Sequence, residues 1–277
     1  MLTGKAVVIT GAGRGLGRGY ALHAAASGAR VIVNDVDGGL AGAVVAQIND
    51  GGGQATVSTH SVATANQAWD LIALCVERFG AIDGLVNNAG VIDVGPAWEA
   101  TPEMMRQLVD VNVLGVLYCG TAALARMRAQ GSGVIVNATS GAHLGMAQRS
   151  VYGATKGAVA SVTYGWALEM APHGVSVIGL SPLADTRMSV GPNLQAPERV
   201  APIVSYLLSG RARGLSGQVV RFDGSHVSLM TLPRFAGPFA RVRGASSEAI
   251  SQALTAAQAT GVHRVGSPDI DLARSAR

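Results

Sequence analysis

Short runs of β-branched and other apolar residues alternate along the chain with longer stretches in which apolar positions recur every three or four residues. The runs at 6–10, 30–34, 54–58, 82–86, 133–138, 175–180 and 218–222 predict strands. They lack the polar alternation of a half-solvated strand, as burial on both faces of a parallel sheet requires. Helical spacing fills 16–27, 38–50, 65–79, 102–127, 152–171 and 197–208. Strand and helix therefore alternate. The pattern predicts a doubly wound α/β fold, a seven-stranded parallel sheet with helices on both faces, which binds ligands at the carboxyl ends of its strands. Beyond Phe222 the texture changes, with Pro, Gly and Arg punctuating a segment that holds one predicted helix, 247–259, capped by Ser246 or Ser247. The expected organisation is one α/β domain over 1–224 and a partly helical C-terminal extension, 225–277, packing on the core or on a neighbouring subunit. A disordered end from about Gly266 is equally compatible with the sequence.

Composition narrows this picture. With 277 residues, 48% hydrophobic and 14% charged, the chain can bury one large core. Its net charge of +4 is spread from end to end, which argues against a nucleic-acid or membrane-surface footprint. Met1 is followed almost at once by the first strand and no apolar stretch of spanning length is expected, so the sequence predicts a soluble, cytoplasmic protein. Cys75 and Cys119 sit in helical patterns and read as buried thiols, and the 6 histidines show no ligand spacing, so no metal is expected. Of the 21 basic residues only Lys5 and Lys156 are lysines. A lysine in so arginine-rich a chain marks a place where the planar guanidinium would not serve.

The first strand, helix and second strand form a βαβ unit around Gly11-Ala12-Gly13-Arg14-Gly15-Leu16-Gly17. A glycine turn there lets the backbone approach a pyrophosphate, while the helix N-terminus offers free N–H groups and positive partial charge. Asp35 closes the second strand, where a carboxylate would accept from a ribose diol and repel a 2′-phosphate. It points to NAD rather than NADP; as a bland alternative it caps a helix or a loop. Arg14 pulls mildly the other way, since a cation in the phosphate loop can pair with the extra phosphate of NADP.

Tyr152 and Lys156 lie four apart at the start of a helix and share a face. A fixed ammonium beside a phenol favours phenolate and brings it toward use as an acid or base at neutral pH. Ser140, just past the fifth strand, can hydrogen-bond a carbonyl or carbinol oxygen, or merely cap the local backbone. Asn112 interrupts an apolar Val-Asn-Val-Leu run; its amide either positions a water behind Lys156 or satisfies nearby backbone.

Thr10-Gly11-Ala12-Gly13-Arg14-Gly15-Leu16-Gly17, Asn87-Asn88-Ala89-Gly90, Asn112, Ser140, Tyr152-Gly153-Ala154-Thr155-Lys156, and Pro182 with Thr186 occur in order on the expected elements. Over roughly residues 3–224 the chain resembles the short-chain dehydrogenase/reductase family, a Rossmann fold. The resemblance implies that Tyr152 is the catalytic acid/base, that Lys156 lowers its pKa and holds the nicotinamide ribose, that Ser140 orients substrate and that Asn112 supports a water relay. It further implies that Asn88, Ala89 and Gly90 line the adenosine side, that Thr186 meets the carboxamide, and that Ser61, Val62, Pro182, Leu183 and Met188 complete the cofactor site. A homo-oligomer, dimer or tetramer, through the helices at 102–127 and 152–171 is implied in the same way.

Three departures from that family pattern stand out. Ser140 precedes Tyr152 by twelve positions rather than the usual thirteen, and Thr139 has the usual spacing. Ser61-Val62 replaces the common Asp-Val, and Pro182-Leu183 the common Pro-Gly, which narrows the backbone beside the nicotinamide. Within the family, 17–22, 33–35, 182–188 and 197–208 look similar to (3R)-hydroxyacyl-CoA and 17β-hydroxysteroid dehydrogenase units. His143, Leu144, Met146, Leu183 and Met188 are the expected pocket flank, apolar enough for a hydroxyacyl, steroid-like or terpenoid alcohol. The resulting expectation is an NAD(H)-dependent oxidoreductase interconverting a secondary alcohol and a ketone. Its rivals are an NADP(H)-dependent ketoreductase and a catalytically silent dinucleotide-binding sensor.

Overall fold

The computed structural model describes residues 1–188, 194–231 and 246–258. Eight strands form one sheet in the order β3-β2-β1-β4-β5-β6-β7-β8. They are β1 (Ala6–Thr10), β2 (Arg30–Asn34), β3 (Gln54–Ser58), β4 (Gly84–Asn87), β5 (Gly133–Ala138), β6 (Val175–Pro182), β7 (Val219–Phe222) and β8 (Val227–Leu229). β1 to β7 are parallel, and the order reverses between β1 and β4, which leaves a crevice at their carboxyl ends.

Alternate residues of each buried strand feed two apolar cores. Val7, Ile9, Val31 and Val33 face Tyr20, Ala21 and Ala24 of α1 (Gly15–Ala26), Val44 and Ile48 of α2 (Gly38–Asp50), and Val204 and Leu207 of α8 (Pro202–Leu207). Val8, Ile32, Ile135 and Val177 face Leu71 and Cys75 of α3 (Ala65–Phe79), Val116 and Cys119 of α5 (Gly115–Gln130), and Val159 and Trp166 of α6 (Ser150–Met170). Cys75 and Cys119 are free thiols buried in this second core, and burial pushes both up to about 12, far from reactivity.

The structure departs from the sequence pattern in four places. The seven-stranded parallel sheet gains an eighth strand, antiparallel on β7, made by a hairpin in which the Asp223 carboxylate accepts from the backbone of Ser225 and His226. All three residues of β8 are exposed, so no apolar run announced it. The predicted helix 102–127 is α4 (Pro102–Val109), a π-helical turn (Asp110–Leu114) and α5 in continuous succession. That 29-residue run is long and apolar enough for a membrane span by length and composition, contrary to expectation; its buried face, through Leu108, Val116, Cys119 and Met127, belongs to the cores. The predicted helix 197–208 is two short pieces, α7 (Pro197–Val200) and α8, because Pro202 has no N–H to continue a helical ladder.

Met1–Met230 forms one compact unit and Thr231–Arg277 a second. Within the latter, α9 (Ser247–Gln258) is helical as expected, with Ser246 Oγ accepting from Ala249 N at 3.2 Å. The expectations for the rest of the extension, including its end near Gly266, lie outside the described residues.

Candidate active site

β1 runs into the glycine turn, which is built mostly from backbone. Gly11 has φ +62, and a Cβ there would stand 2.8 Å from Ala89 Cα; one at Gly17 would stand 2.1 Å from the Gly11 carbonyl oxygen. The turn is braced from β4. Thr10 Oγ1 accepts from Asn88 N and Ala89 N, each at 3.0 Å, and donates to Val86 O at 3.3 Å. Asn88 Nδ2 donates to Thr10 O at 2.9 Å and Gly11 O at 3.1 Å. Asn88 Nδ2 thus holds the turn closed. Asp35 is buried at the end of β2; its Oδ2 accepts from Gly13 N at 3.0 Å and its Oδ1 from Asp37 N at 3.1 Å. Each carboxylate oxygen keeps a further lone pair for a ribose hydroxyl.

Around this turn, Arg14 is exposed at the N-cap of α1 and Leu16 packs partly into the first core. Thr186, from the loop after β6, would lie 3.8 Å from a Cβ on Gly15, and its Oγ1 accepts from Met188 N at 3.2 Å. Pro182 is the last residue of β6, and Leu183 N donates to Phe222 O at 2.9 Å. Ser61 N donates to Gln67 Oε1 at 2.7 Å. Val62 is buried against Gly115, where an added Cβ would be 2.9 Å from its Cγ2, so its side chain is framework and only its backbone is free for a ligand.

The second group of residues lies at the carboxyl end of β5 and the first turns of α6. Ser140 Oγ accepts from Ala142 N at 3.2 Å, and its hydroxyl lies close enough to the Tyr152 phenol to lower that group's pKa. Thr139, the alternative with the usual spacing, is buried with its Oγ1 unpartnered, so Ser140 is the hydroxyl that meets Tyr152. Lys156 is buried one turn beyond; its Nζ donates to Ala138 O at 2.8 Å and lies 5.8 Å from the centre of the Tyr152 ring. A Cβ on Gly90 would be 3.6 Å from Lys156 Nζ and 3.2 Å from Asn112 Oδ1. The loop after β4 therefore joins the glycine turn to this cluster.

Asn112, fully buried in the π turn, accepts from Val91 N and donates to Val91 O, both at 2.9 Å, and donates to Thr155 Oγ1 at 3.1 Å. Both amide protons are spent on the chain. These bonds tie the loop after β4 to α6, and the expectation that this amide holds a water behind Lys156 narrows to the second lone pair of its Oδ1.

Electrostatics corrects a second expectation. Burial raises the Tyr152 pKa, and the Ser140 hydrogen bond and the Arg149 charge pull it back only in part. Burial also lowers Lys156 to about 8. In the protein alone, then, desolvation outweighs any stabilisation of phenolate by the amine, and Tyr152 holds its proton at neutral pH.

The pocket flank is mixed. His143 Nδ1 contacts Ser140 O, and Met146 packs on the cluster of Leu108, Ala142 and Tyr152. Leu183 is half-buried, whereas Leu144 and Met188 are exposed. Val91 and Ile92 join the same cluster, unforeseen though they directly follow Asn-Asn-Ala-Gly. Arg149, three residues before Tyr152, was also missed; that spacing was the one signal for it.

Comparison with known proteins agrees with this geometry. The family model for short chain dehydrogenases matches residues 5–194. A Mycobacterium tuberculosis protein described as a short-chain type dehydrogenase/reductase is 37% identical over 219 residues, 73% of this chain and 77% of its own. A 3-oxoacyl-[acyl-carrier-protein] reductase of Synechocystis is 34% identical over 242 residues, 82% of this chain and 98% of its own. A crystal structure of a short chain dehydrogenase from Mycobacterium avium superposes with a TM-score of 0.88 at 32% identity, covering 96% of this chain and 98% of that one.

Proposed function

The chain belongs to the short-chain dehydrogenase/reductase family and is an oxidoreductase that binds a nicotinamide dinucleotide; from that premise we propose that it uses NAD(H) to interconvert a secondary alcohol and a ketone on a substrate with an apolar body. One juxtaposition carries the reading: Tyr152, beside Ser140 and one turn from a buried Lys156, stands across Gly90 from the glycine turn. The residues present fit a dinucleotide. Gly11 and Gly17 let the turn close tightly on its own backbone, Gly15, with φ +54 and nothing nearer than 3.8 Å to an added Cβ, leaves open space beside it, and Asp35 offers spare carboxylate lone pairs at the end of β2. That buried carboxylate would repel a 2′-phosphate, which favours NAD over NADP.

When bound, the nicotinamide supplies or accepts the hydride. The remaining chemistry belongs to the chain. In reduction Tyr152 Oη gives its proton to the oxygen that gains charge, and in oxidation it takes that proton back. Ser140 Oγ, already beside the phenol, donates to the same oxygen. Lys156 supplies positive potential near the phenol, and a ribose hydroxyl taking the place of Ala138 O would keep its ammonium satisfied. Met146, Val91 and Ile92 exclude water beside Tyr152.

The hydroxyacyl class is the finer reading. It is supported by the likeness at 182–188 and 197–208 and by the similar protein named as a 3-oxoacyl reductase. Assembly into a homo-oligomer is supported by exposed apolar residues on the helices concerned, Met105 and Val109 on α4 and Leu168 on α6.

The test is turnover of secondary alcohols with NAD⁺ against NADP⁺, followed at the NADH absorbance, in wild type and Tyr152→Phe. We expect NAD⁺ to be preferred, kcat of the variant to fall about 10³-fold, and its NADH affinity to stay within about threefold of wild type. Undiminished turnover by the variant would remove Tyr152 from the chemistry.

A further inference from the structure

Among the described residues four arginines are partly buried: Arg18, Arg30, Arg149 and Arg221. Three have partners in the chain. Arg18 pairs with Glu198 and Gln47, Arg30 donates to Gly4 O and lies over the Phe79 ring, and Arg221 donates to Ser181. Arg149 makes no side-chain hydrogen bond and no ion pair with any described residue, and no acid occurs in the first turn of α6 beside it. A guanidinium has five donors and cannot discharge, so the Arg149 fork is free to take an anionic acceptor from outside the described residues.

The backbone around Arg149 is nonetheless well fixed. Gln148 is the sole non-glycine described residue with positive φ, +62, a conformation that costs about 1 kcal/mol for an L-residue. Its carbonyl accepts from Gly95 N at 2.8 Å, which ties this turn to the loop after β4. Arg149 N donates to Met146 O at 3.2 Å, and Arg149 O accepts the first helical bond of α6, from Gly153 N at 2.7 Å. The turn thus spends strain to set Arg149 three residues before Tyr152, on the same side of the helix start. The Tyr152 hydroxyl feels the Arg149 charge.

Resting on the dehydrogenase reading above, we propose that Arg149 is a specificity residue that binds an acidic group of the substrate itself, so that the preferred alcohol or ketone carries a carboxylate or sulfonate on an apolar body. The reacting oxygen then lies between Tyr152 and Ser140, the carbon skeleton against Met146 and Ile92, and the acid on the Arg149 fork. A bidentate, charge-assisted contact in a partly desolvated site is the strong kind of hydrogen bond and rejects neutral analogues.

Two measurements test this, with keto acids matched to neutral ketones of equal length, such as levulinate against 2-hexanone. In turnover with NADH, wild type should prefer the acids in kcat/KM, mainly through KM, and Arg149→Gln should cut the acid-to-neutral ratio at least about tenfold. Arg149→Lys should restore part of it. In binding, calorimetry on the Tyr152→Phe protein saturated with NADH should give at least about tenfold tighter binding of the acid, lost in the Arg149→Gln double variant.

A uniform fall for both substrate types, with a shifted pH profile, would mean that Arg149 only tunes the phenol and would overturn the proposal while leaving the dehydrogenase reading intact. Equal binding of acid and neutral members throughout, or none by either, would also overturn it. Tighter binding of the acids without turnover of any ketone or alcohol would support Arg149 and sink the dehydrogenase reading instead.

Discussion

Around the glycine turn the chain satisfies its own polar groups; around Tyr152 it leaves several wanting. Thr10 Oγ1 makes three hydrogen bonds, Asn88 closes two carbonyls and Asp35 takes two backbone N–H groups. At the other end of the crevice, among the described residues, Lys156 has one acceptor for three protons and Thr139 Oγ1 has no partner, and Tyr152 and Lys156 both carry pKa shifts caused by burial. The first region is a finished backbone scaffold whose removal should cost binding and stability. The second is held in a desolvated state that a ligand would relieve, so its residues cost stability in a way that the proposed chemistry would account for.

The harshest way to break the scaffold is Gly17→Ala. Its methyl would meet the Gly11 carbonyl at 2.1 Å, backbone against backbone. NADH affinity measured by fluorescence should fall at least about 100-fold, or the protein should fail to fold. An affinity within about threefold of wild type would show that the turn is not the cofactor cradle.

Thr10→Val keeps the shape and removes three hydrogen bonds, leaving the N–H groups of Asn88 and Ala89 without their acceptor. A loss of about 2–4 kcal/mol is expected, visible as a Tm lower by roughly 5–15 °C. A loss under about 0.5 kcal/mol would erase the contrast between the two regions.

Lys156→Met sharpens the contrast from the other side. Burial lowers the amine from 10.5 to about 8, so below pH 8 the folded protein bears the full cost of a buried ammonium. Removing it should leave stability at pH 7 unchanged or raised by about 1–3 kcal/mol, after allowing for the lost bond to Ala138, while turnover collapses. The sign of the pH dependence follows. Between about 8 and 10.5 the unfolded chain binds a proton that the folded one does not, so wild-type stability should rise with pH across that window relative to the variant. Above about pH 10 the raised Tyr152 acts oppositely, because the folded state keeps a proton that the unfolded state has lost. Urea melts at pH 7, 8 and 9.5 would show a parallel pair of curves if Lys156 is not buried at this cost.

Much of this architecture was legible residue by residue. β1, β2, β3 and β5 coincide with their apolar runs because strands covered on both faces have no reason to alternate. The exposed β8 has no such run, and its existence depends on the Asp223 hairpin laying it on β7. The helix 102–127 read as one piece because apolar periodicity survives a π turn; the bulge follows from seating Asn112 between Val91 and Thr155, partners 21 and 43 positions away. Of the candidate site, the glycines, Asp35, Ser140, Tyr152 and Lys156 were singled out because their order and spacing along the chain are specific, even where a single residue has a structural reading. Arg149 and Ile92 were not, since an arginine before a helix and an isoleucine following a valine are ordinary in sequence.

What the sequence determined by itself was the order of strands and helices, the glycine turn and the candidate for the proposed proton transfer, all of which depend on near neighbours in the chain. Only the tertiary structure decided which hydroxyl lies beside Tyr152, that Asn112 and Asn88 are braces, that Tyr152 and Lys156 are shifted by burial rather than by each other, and that Arg149 makes no hydrogen bond or ion pair through its side chain among the described residues. Those are questions of desolvation and of contact between residues far apart in the chain, and the dielectric around a group is a property of everything packed against it.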